Sequence, residues 1–153
     1  MKAYCDSSYD EKKRTAGIGI VIQDGNKRRT YSNWFPARSN NEGELFAIYI
    51  SAILMNGRGT IYTDSQTALM YLNGEIKEDK MRSREQWLTH KQCKFWAYKI
   101  RLLLKGGGGK AEKIKAHTHH FQTHSIGNRL ADLMAKEGRS KFYERGGRGD
   151  GGR

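Results

Sequence analysis

An α/β fold is what this sequence predicts: one mixed β-sheet with helices on its faces. Three observations lead there. Apolar, β-branched runs of strand length recur through the chain. The first three are joined by short polar connections, which favour antiparallel pairing. Later strand-like runs alternate with helix-patterned segments, which favours parallel ones.

The elements follow in order. Residues 2–5 are a short apolar strand ending at Asp6, and 7–15 read as a polar loop. Ala16 to Ile22 is a strand bounded by turn residues. Asp24-Gly25-Asn26 is a hairpin signal, and Arg29 to Phe35 is the returning strand, closed by the only proline, Pro36. Ser39, Asn40 or Asn41 can cap a helix, with Glu42 or Glu44 in its first turn, where negative charge is favoured. Its body, Leu45 to Met55, is almost wholly apolar and should be buried, and Asn56-Gly57 ends it. Thr60 to Thr63 is a short strand ending at Asp64. Ser65 to Leu72 is a helix stopped by Asn73-Gly74. Residues 75–86 are charged and weakly patterned. From Glu85 to Lys105 a helical period returns through Cys93, Trp96 or Ala97, Ile100, and Leu103 or Leu104. Gly106 to Gly109 break it. Glu112 to Ala116 is the final strand, 117–127 a His-rich loop, and Asn128 to Glu137 a helix capped by Asn128 and ended by Gly138. Residues 1–138 make one domain, and 139–153 a basic Gly/Arg-rich disordered tail.

The 153 residues carry a net charge of +12, which favours an anionic partner. The excess is uneven: residues 73–115 hold 12 Lys/Arg against 5 Asp/Glu, so that stretch is the first candidate for contact. A solvated face is the plainer reading of a charge run. Trp87, Phe95, Trp96 and Tyr98 fall in the same stretch, although most should belong to the core. Cys5 and Cys93 form no metal motif and read as reduced thiols of a soluble cytoplasmic protein. No apolar run is long enough for a membrane span.

Against that basic background, four acids stand out: Asp6, Glu44, Asp64 and Asp132. Two end strand-type runs and two lie on helical patterns. In such sheets, sites form beyond the carboxyl ends of parallel strands, so Asp6 and Asp64 lie side by side if their strands are neighbours. Like charges gathered in one pocket must protonate or bind cations, and hard divalent ions are the usual partner of clustered oxygens. Taken singly, each acid could instead be a helix-cap or strand-end residue.

Their frames resemble the type 1 ribonuclease H family over nearly the whole domain, from Lys2 to about Gly138. The carriers are Asp6 followed by Ala16-Gly17-Ile18-Gly19-Ile20, Asn40-Asn41 ahead of Glu44, Tyr62-Thr63-Asp64-Ser65-Gln66, and Asn128 with Asp132. The resemblance implies a ribonuclease H-like five-stranded mixed sheet of order 3-2-1-4-5. It implies an endonuclease that hydrolyses the RNA strand of RNA–DNA hybrids with two Mg²⁺ ions, Mn²⁺ being a substitute, and that acts as a monomer. By the same resemblance Asp6 bridges both ions, Glu44 and Asp64 hold one, and Asp132 holds the other. Asn40, Asn41 and Gln66 occupy minor-groove positions and Ser39 a phosphate-binding one. Lys77, Lys80, Arg82, Arg84, Lys91 and Lys94 match a basic protrusion that grips the hybrid. Capping remains an alternative role for Asn40 and Asn41.

Three departures are visible. Ser7 stands where Gly or Ala is common. No hybrid-binding domain precedes Asp6, and the Arg-Gly tail is an alternative source of sequence-tolerant affinity. The loop after the last strand is longer by five residues and holds His117, His119, His120 and His124. The assisting histidine is His117 by its strand frame or His124 by its place before Ser125. A zinc site among these histidines fits no standard spacing. Two other functions stay open: a catalytically silent nucleic-acid-binding module, and a resolvase- or integrase-type nuclease on the same scaffold.

Overall fold

Nothing in Ser7-Ser8-Tyr9-Asp10 has the apolar look of a strand, yet β1 runs from Lys2 to Asp10. The ladder decides it. Ser7, Ser8 and Tyr9 sit opposite Ile18, Gly17 and Ala16 of β2 (Thr15–Asp24), so the main chain is paired whatever the side chains are. The expected loop over 7–15 therefore shrinks to the turn between Asp10 and Thr15. β3 (Lys27–Pro36) returns antiparallel to β2 across the two-residue turn Gly25-Asn26, where Gly25 has φ of 61°.

The computed structural model describes residues 1–78, 81–114 and 121–151. Its sheet has the order β3-β2-β1-β4-β5. β4 (Thr60–Thr63) is parallel to β1, and β5 (Lys110–Lys113) is parallel to β4. The last strand thus begins earlier than the Glu112–Ala116 expected from sequence. The glycine run feeds straight into it, and Lys110 to Lys113 pair with Thr60 to Thr63 despite their charge. No helix among the described residues is long and apolar enough to cross a membrane.

Three helices share one apolar layer with the sheet: α1 (Asn40–Leu54), α2 (Gln66–Leu72) and α3 (Arg84–Gly107). Ala3, Cys5, Ile18, Ile20 and Ile22 meet Leu45, Ile48, Ala52, Met55, Cys93, Ala97 and Ile100 there, all buried. Each helix starts on a serine cap. Ser39, Ser65 and Ser83 accept the N–H of Glu42, Ala68 and Gln86, each at 3.1 Å. Buried His90 joins the inner face of α3, held by the Tyr71 hydroxyl at 3.0 Å and the Glu78 carboxylate at 3.2 Å. Ile100 and Cys93 were legible from the helical period, but His90 was not, because its burial depends on those two distant partners.

The opposite face belongs to α4 (Phe121–Gly151), which packs on β1, β2 and β3. It corrects three readings. Residues 121–127 are helical rather than loop, Asn128 lies inside the helix rather than at its cap, and Gly138 does not end it. A side chain at Gly138 would run into the Asn33 backbone. The glycine is there for close approach. Beyond it, Lys141 donates to the Ser32 carbonyl at 2.9 Å, and Phe142 meets the Trp34 ring edge-on at 4.7 Å. Arg139 reaches the Ser8 hydroxyl, and Tyr143 donates to Asp10. The stretch after 138, expected to be tail, thus docks on the sheet at least as far as Tyr143.

Candidate active site

Parallel pairing of β1 with β4 sets the site. Tyr4 is in register with Tyr62, so Asp6 and Asp64, each two residues on, emerge side by side at the carboxyl ends of neighbouring strands. Glu44 arrives from the second turn of α1. The carboxylates of Asp6, Glu44 and Asp64 each offer an oxygen, and these three atoms lie within 4.8 Å of one another. Asp6 and Glu44 are buried and Asp64 is exposed, so the trio opens to solvent on one side.

The electrostatics follow from that packing. Burial pushes the Asp6 carboxyl up to about 7, with the Asp64 charge the next cause and Asp132 also raising it. Burial pushes Glu44 up to about 9, with the charges of Asp6 and Asp64 adding. The Ser7 N–H works against both shifts. Such a cluster is held together only by protons or by a cation.

Two glutamates compete for the role in α1, and their hydrogen bonds separate them. One Glu42 oxygen accepts the Arg38 N–H at 2.7 Å, and the other accepts the Trp96 indole N–H at 3.0 Å. Glu42 is satisfied and structural. The Oε2 of Glu44 is buried and has no hydrogen-bond partner among the described residues. A buried, partnerless carboxylate oxygen facing two other carboxylates is what a hard divalent ion requires, and the donor set is all oxygen. Accordingly, Glu42→Gln is expected to lower stability by about 1–2 kcal/mol through the cap and the indole bond. Its divalent-metal affinity by calorimetry should stay near wild type, whereas Glu44→Gln should lose metal affinity without losing stability.

Asp132 stands at the edge of the cluster. It lies on α4, 43% exposed, with Lys136 at 3.1 Å, and close enough to Asp6 to raise it. One turn earlier, Asn128 carries a buried Oδ1 without a hydrogen-bond partner among the described residues.

Two glycines bring the helices in. Gly43 precedes Glu44, and a Cβ there would strike the Ser7 hydroxyl and press on Ala16 at 3.0 Å. Gly19 is directly opposite Asp6 in the β1–β2 register, and a Cβ there would strike the Ala131 carbonyl, one residue before Asp132. The sequence reading took Gly19 for a strand residue and passed over Gly43. A glycine inside an otherwise buried strand or first helical turn was the available signal.

The other expected contact residues lie on α1 or at its cap, on α2 and α3 and on the segment before α3, or outside the described residues. Ser39 caps α1. Asn40 is exposed and Asn41 half-buried one turn before Glu44, and exposed Gln66 opens α2 just after Asp64. Lys77, Arg82 and Arg84 are exposed around the start of α3. Lys91 lies over the Trp87 ring at 5.0 Å, and Lys94 pairs with Glu78 at 2.7 Å. Lys80, His117, His119 and His120 lie outside the described residues, as does the side chain of His124. Trp96 is half-buried against Phe46 and Tyr49, whereas Phe95 and Tyr98 are exposed on the outer side of α3.

A 3-2-1-4-5 mixed sheet with acids at the ends of its parallel strands β1 and β4 defines an α/β protein with an acidic cluster able to hold a divalent ion. Comparison with known structures narrows the class. The fold is similar to that of ribonuclease H1 from the halophilic archaeon Halobacterium salinarum, at 18% identity and a TM-score of 0.67, covering 92% of this chain and 97% of that one. It is also similar to the N-terminal RNase H domain of Rv2228c from Mycobacterium tuberculosis, solved as a fusion with maltose-binding protein, at 14% identity and a TM-score of 0.58, covering 95% and 98%. No curated protein matches. The RNase H family profile matches residues 1–140, and the chain belongs to that family of nucleases.

Proposed function

We infer that this nuclease hydrolyses the RNA strand of RNA–DNA hybrids with two divalent ions, Mg²⁺ or in its place Mn²⁺. The observation that carries the reading is the Asp6–Glu44–Asp64 trio with its partnerless Glu44 oxygen, in a chain of the RNase H family. Asp6, which interacts with each of the other three acids, would serve both ions. Glu44 and Asp64 would help to hold one, and Asp132, on the helix packed against the opposite face of the sheet, would help to hold the other. Bound there, such ions would supply activation of water and stabilisation of the leaving oxygen in an in-line displacement.

The chain's own groups supply the rest. Asn40, Asn41 and Gln66 flank the acids and present amides to a minor groove, where 2′-hydroxyls mark RNA. Ser39, with Lys77, Lys80, Arg82, Arg84, Lys91 and Lys94, provides contacts to phosphates along one side. His117 is the candidate for moving a proton near neutrality, with His124 as its alternate. The enzyme works as a monomer in the cytoplasm.

One assay tests this: labelled RNA–DNA hybrid, double-stranded DNA and a four-way junction, each with Mg²⁺ and with chelator. Cleavage of the hybrid alone, lost with chelator and in Asp64→Asn, is the expected result. Binding without cleavage would point to a silent module, and junction or duplex cleavage to a different nuclease.

A further inference from the structure

Arg14, Arg38 and Glu85 come from three distant parts of the chain. They meet beside a cleft of about 550 Å³ that is also lined by Tyr9, Asn41 and Thr89. Glu85 sits in the first turn of α3. One of its oxygens takes the Arg14 guanidinium, and the other lies 3.6 Å from that of Arg38. Both arginines are held from behind. Arg14 has φ of 50°, in the left-handed region disfavoured for a residue with a side chain. Its carbonyl accepts the Ala37 N–H at 2.9 Å, and the Arg38 N–H donates to Glu42 at 2.7 Å. The two backbones are thus tied to each other and to the start of α1.

The arrangement gives the fold little in return. The side chains of Arg14, Arg38 and Glu85 are 54%, 46% and 54% exposed, so water screens the pairs. Glu11 also lines the cleft, so its two arginines face two carboxylates, of which Glu85 is the one within ion-pair distance of them. A phosphodiester has the charge of a carboxylate and offers a guanidinium fork the same pair of oxygens. The cleft also contains Asn41, a turn away from the acidic site.

We propose that Glu85 is a resident stand-in for a nucleic-acid backbone phosphate. It keeps Arg14 and Arg38 converged in the unbound protein and is displaced when a strand enters the cleft. This rests on the reading of the chain as one that binds hybrids. Glu85 then competes with substrate, and removing its charge strengthens binding.

The test is fluorescence anisotropy of a labelled RNA–DNA hybrid in chelator, over about 50–200 mM KCl. Wild type is compared with Glu85→Gln, Glu85→Ala, Arg14→Ala/Arg38→Ala, and Glu85→Gln combined with both arginine changes. Each Glu85 variant is expected to bind roughly 3- to 10-fold tighter with a log–log salt slope close to that of the wild type, because the same phosphate contact forms in both, whereas the double arginine variant loses that contact and about 1 from the slope. The triple variant should bind like the double arginine variant. Unchanged or weaker binding by both Glu85 variants overturns the proposal, as does a gain that survives loss of both arginines. Hybrid cleavage by the wild type is measured alongside. Cleavage without the Glu85 effect sinks this inference alone, whereas the Glu85 effect without cleavage upholds it and sinks the nuclease reading.

Discussion

Asp6→Asn is expected to abolish hybrid cleavage while raising the melting temperature of the metal-free protein. On the proposed two-ion reading, activity falls because the carboxylate that would serve both ions is gone. Losing metal stabilisation of the transition state, several kcal/mol, predicts at least about a 10³-fold drop. The stability gain has the opposite root. Burial and the Asp64 charge raise Asp6 to about 7 in the folded chain, above its ordinary value of 3.8. Below the unfolded value the carboxyl is neutral in both states and costs nothing. As pH rises from about 4 to 7, the unfolded chain sheds a proton that the folded one keeps, and wild-type stability falls. The loss amounts to on the order of 4 kcal/mol at its ceiling. Asn has no such proton. The variant's advantage in chelator should therefore widen from pH 5 to pH 7 and then level off. Adding Mg²⁺ should raise the wild type and leave the variant where it was. Thermal unfolding at pH 5, 6, 7 and 8, with chelator and with Mg²⁺, checks it. A variant that melts below the wild type at pH 8 in chelator would mean that Asp6 is paired rather than strained.

The gathering of Asp6, Glu44 and Asp64 was legible in sequence because short-range signals place them. Asp6 and Asp64 each end an apolar strand, and parallel pairing makes such ends neighbours. Asp132 follows Asn128 by one helical turn. Glu44 needed more: Glu42 fits the first turn of α1 equally well by charge. Only the Arg38 N–H and the Trp96 indole, the latter 54 residues away, show that Glu42 is taken.

What sequence missed depends on long-range geometry. Ser7 to Asp10 are strand because β2 pairs with them, and no local propensity says so. α4 passes Gly138 because Asn33 lies against it, and a helix-stop glycine looks the same in sequence as a close-approach glycine. The Arg14–Glu85 pair joins residues 71 apart, and nothing around either one announces the other. The charge excess of residues 73–115 was visible, but Lys94 and Lys91 turn out to be engaged with Glu78 and Trp87. Composition therefore overstates the number of uncommitted cations on that face.

Gly19→Val carries the second large effect, through position rather than charge. Gly19 faces α4, and an added Cβ meets the Ala131 carbonyl and lies within 2.7 Å of the Met134 backbone. Those atoms are helix backbone and cannot swing aside as a flexible side chain could. Either α4 lifts from β2 or the strand twists away, and each route breaks the cluster of Tyr4, Val21 and Ala131. Overpacking of this kind costs about 1–3 kcal/mol where side chains can yield, and more is expected against backbone. The same shift moves Asp132 away from Asp6, its neighbour across the Gly19 register. Hence activity should drop by about 10²-fold even at temperatures where circular dichroism shows the variant folded, the size of loss that a misplacement of about 1 Å can produce. Gly106→Ala is the control. A Cβ there meets nothing within 4 Å, and the position lies inside α3 without a positive φ, so stability should rise by about 0.5–1 kcal/mol with activity unchanged. If Gly19→Val were as active as Gly106→Ala, Asp132 would not need to stand beside Asp6, and its proposed part in holding a second ion would fall.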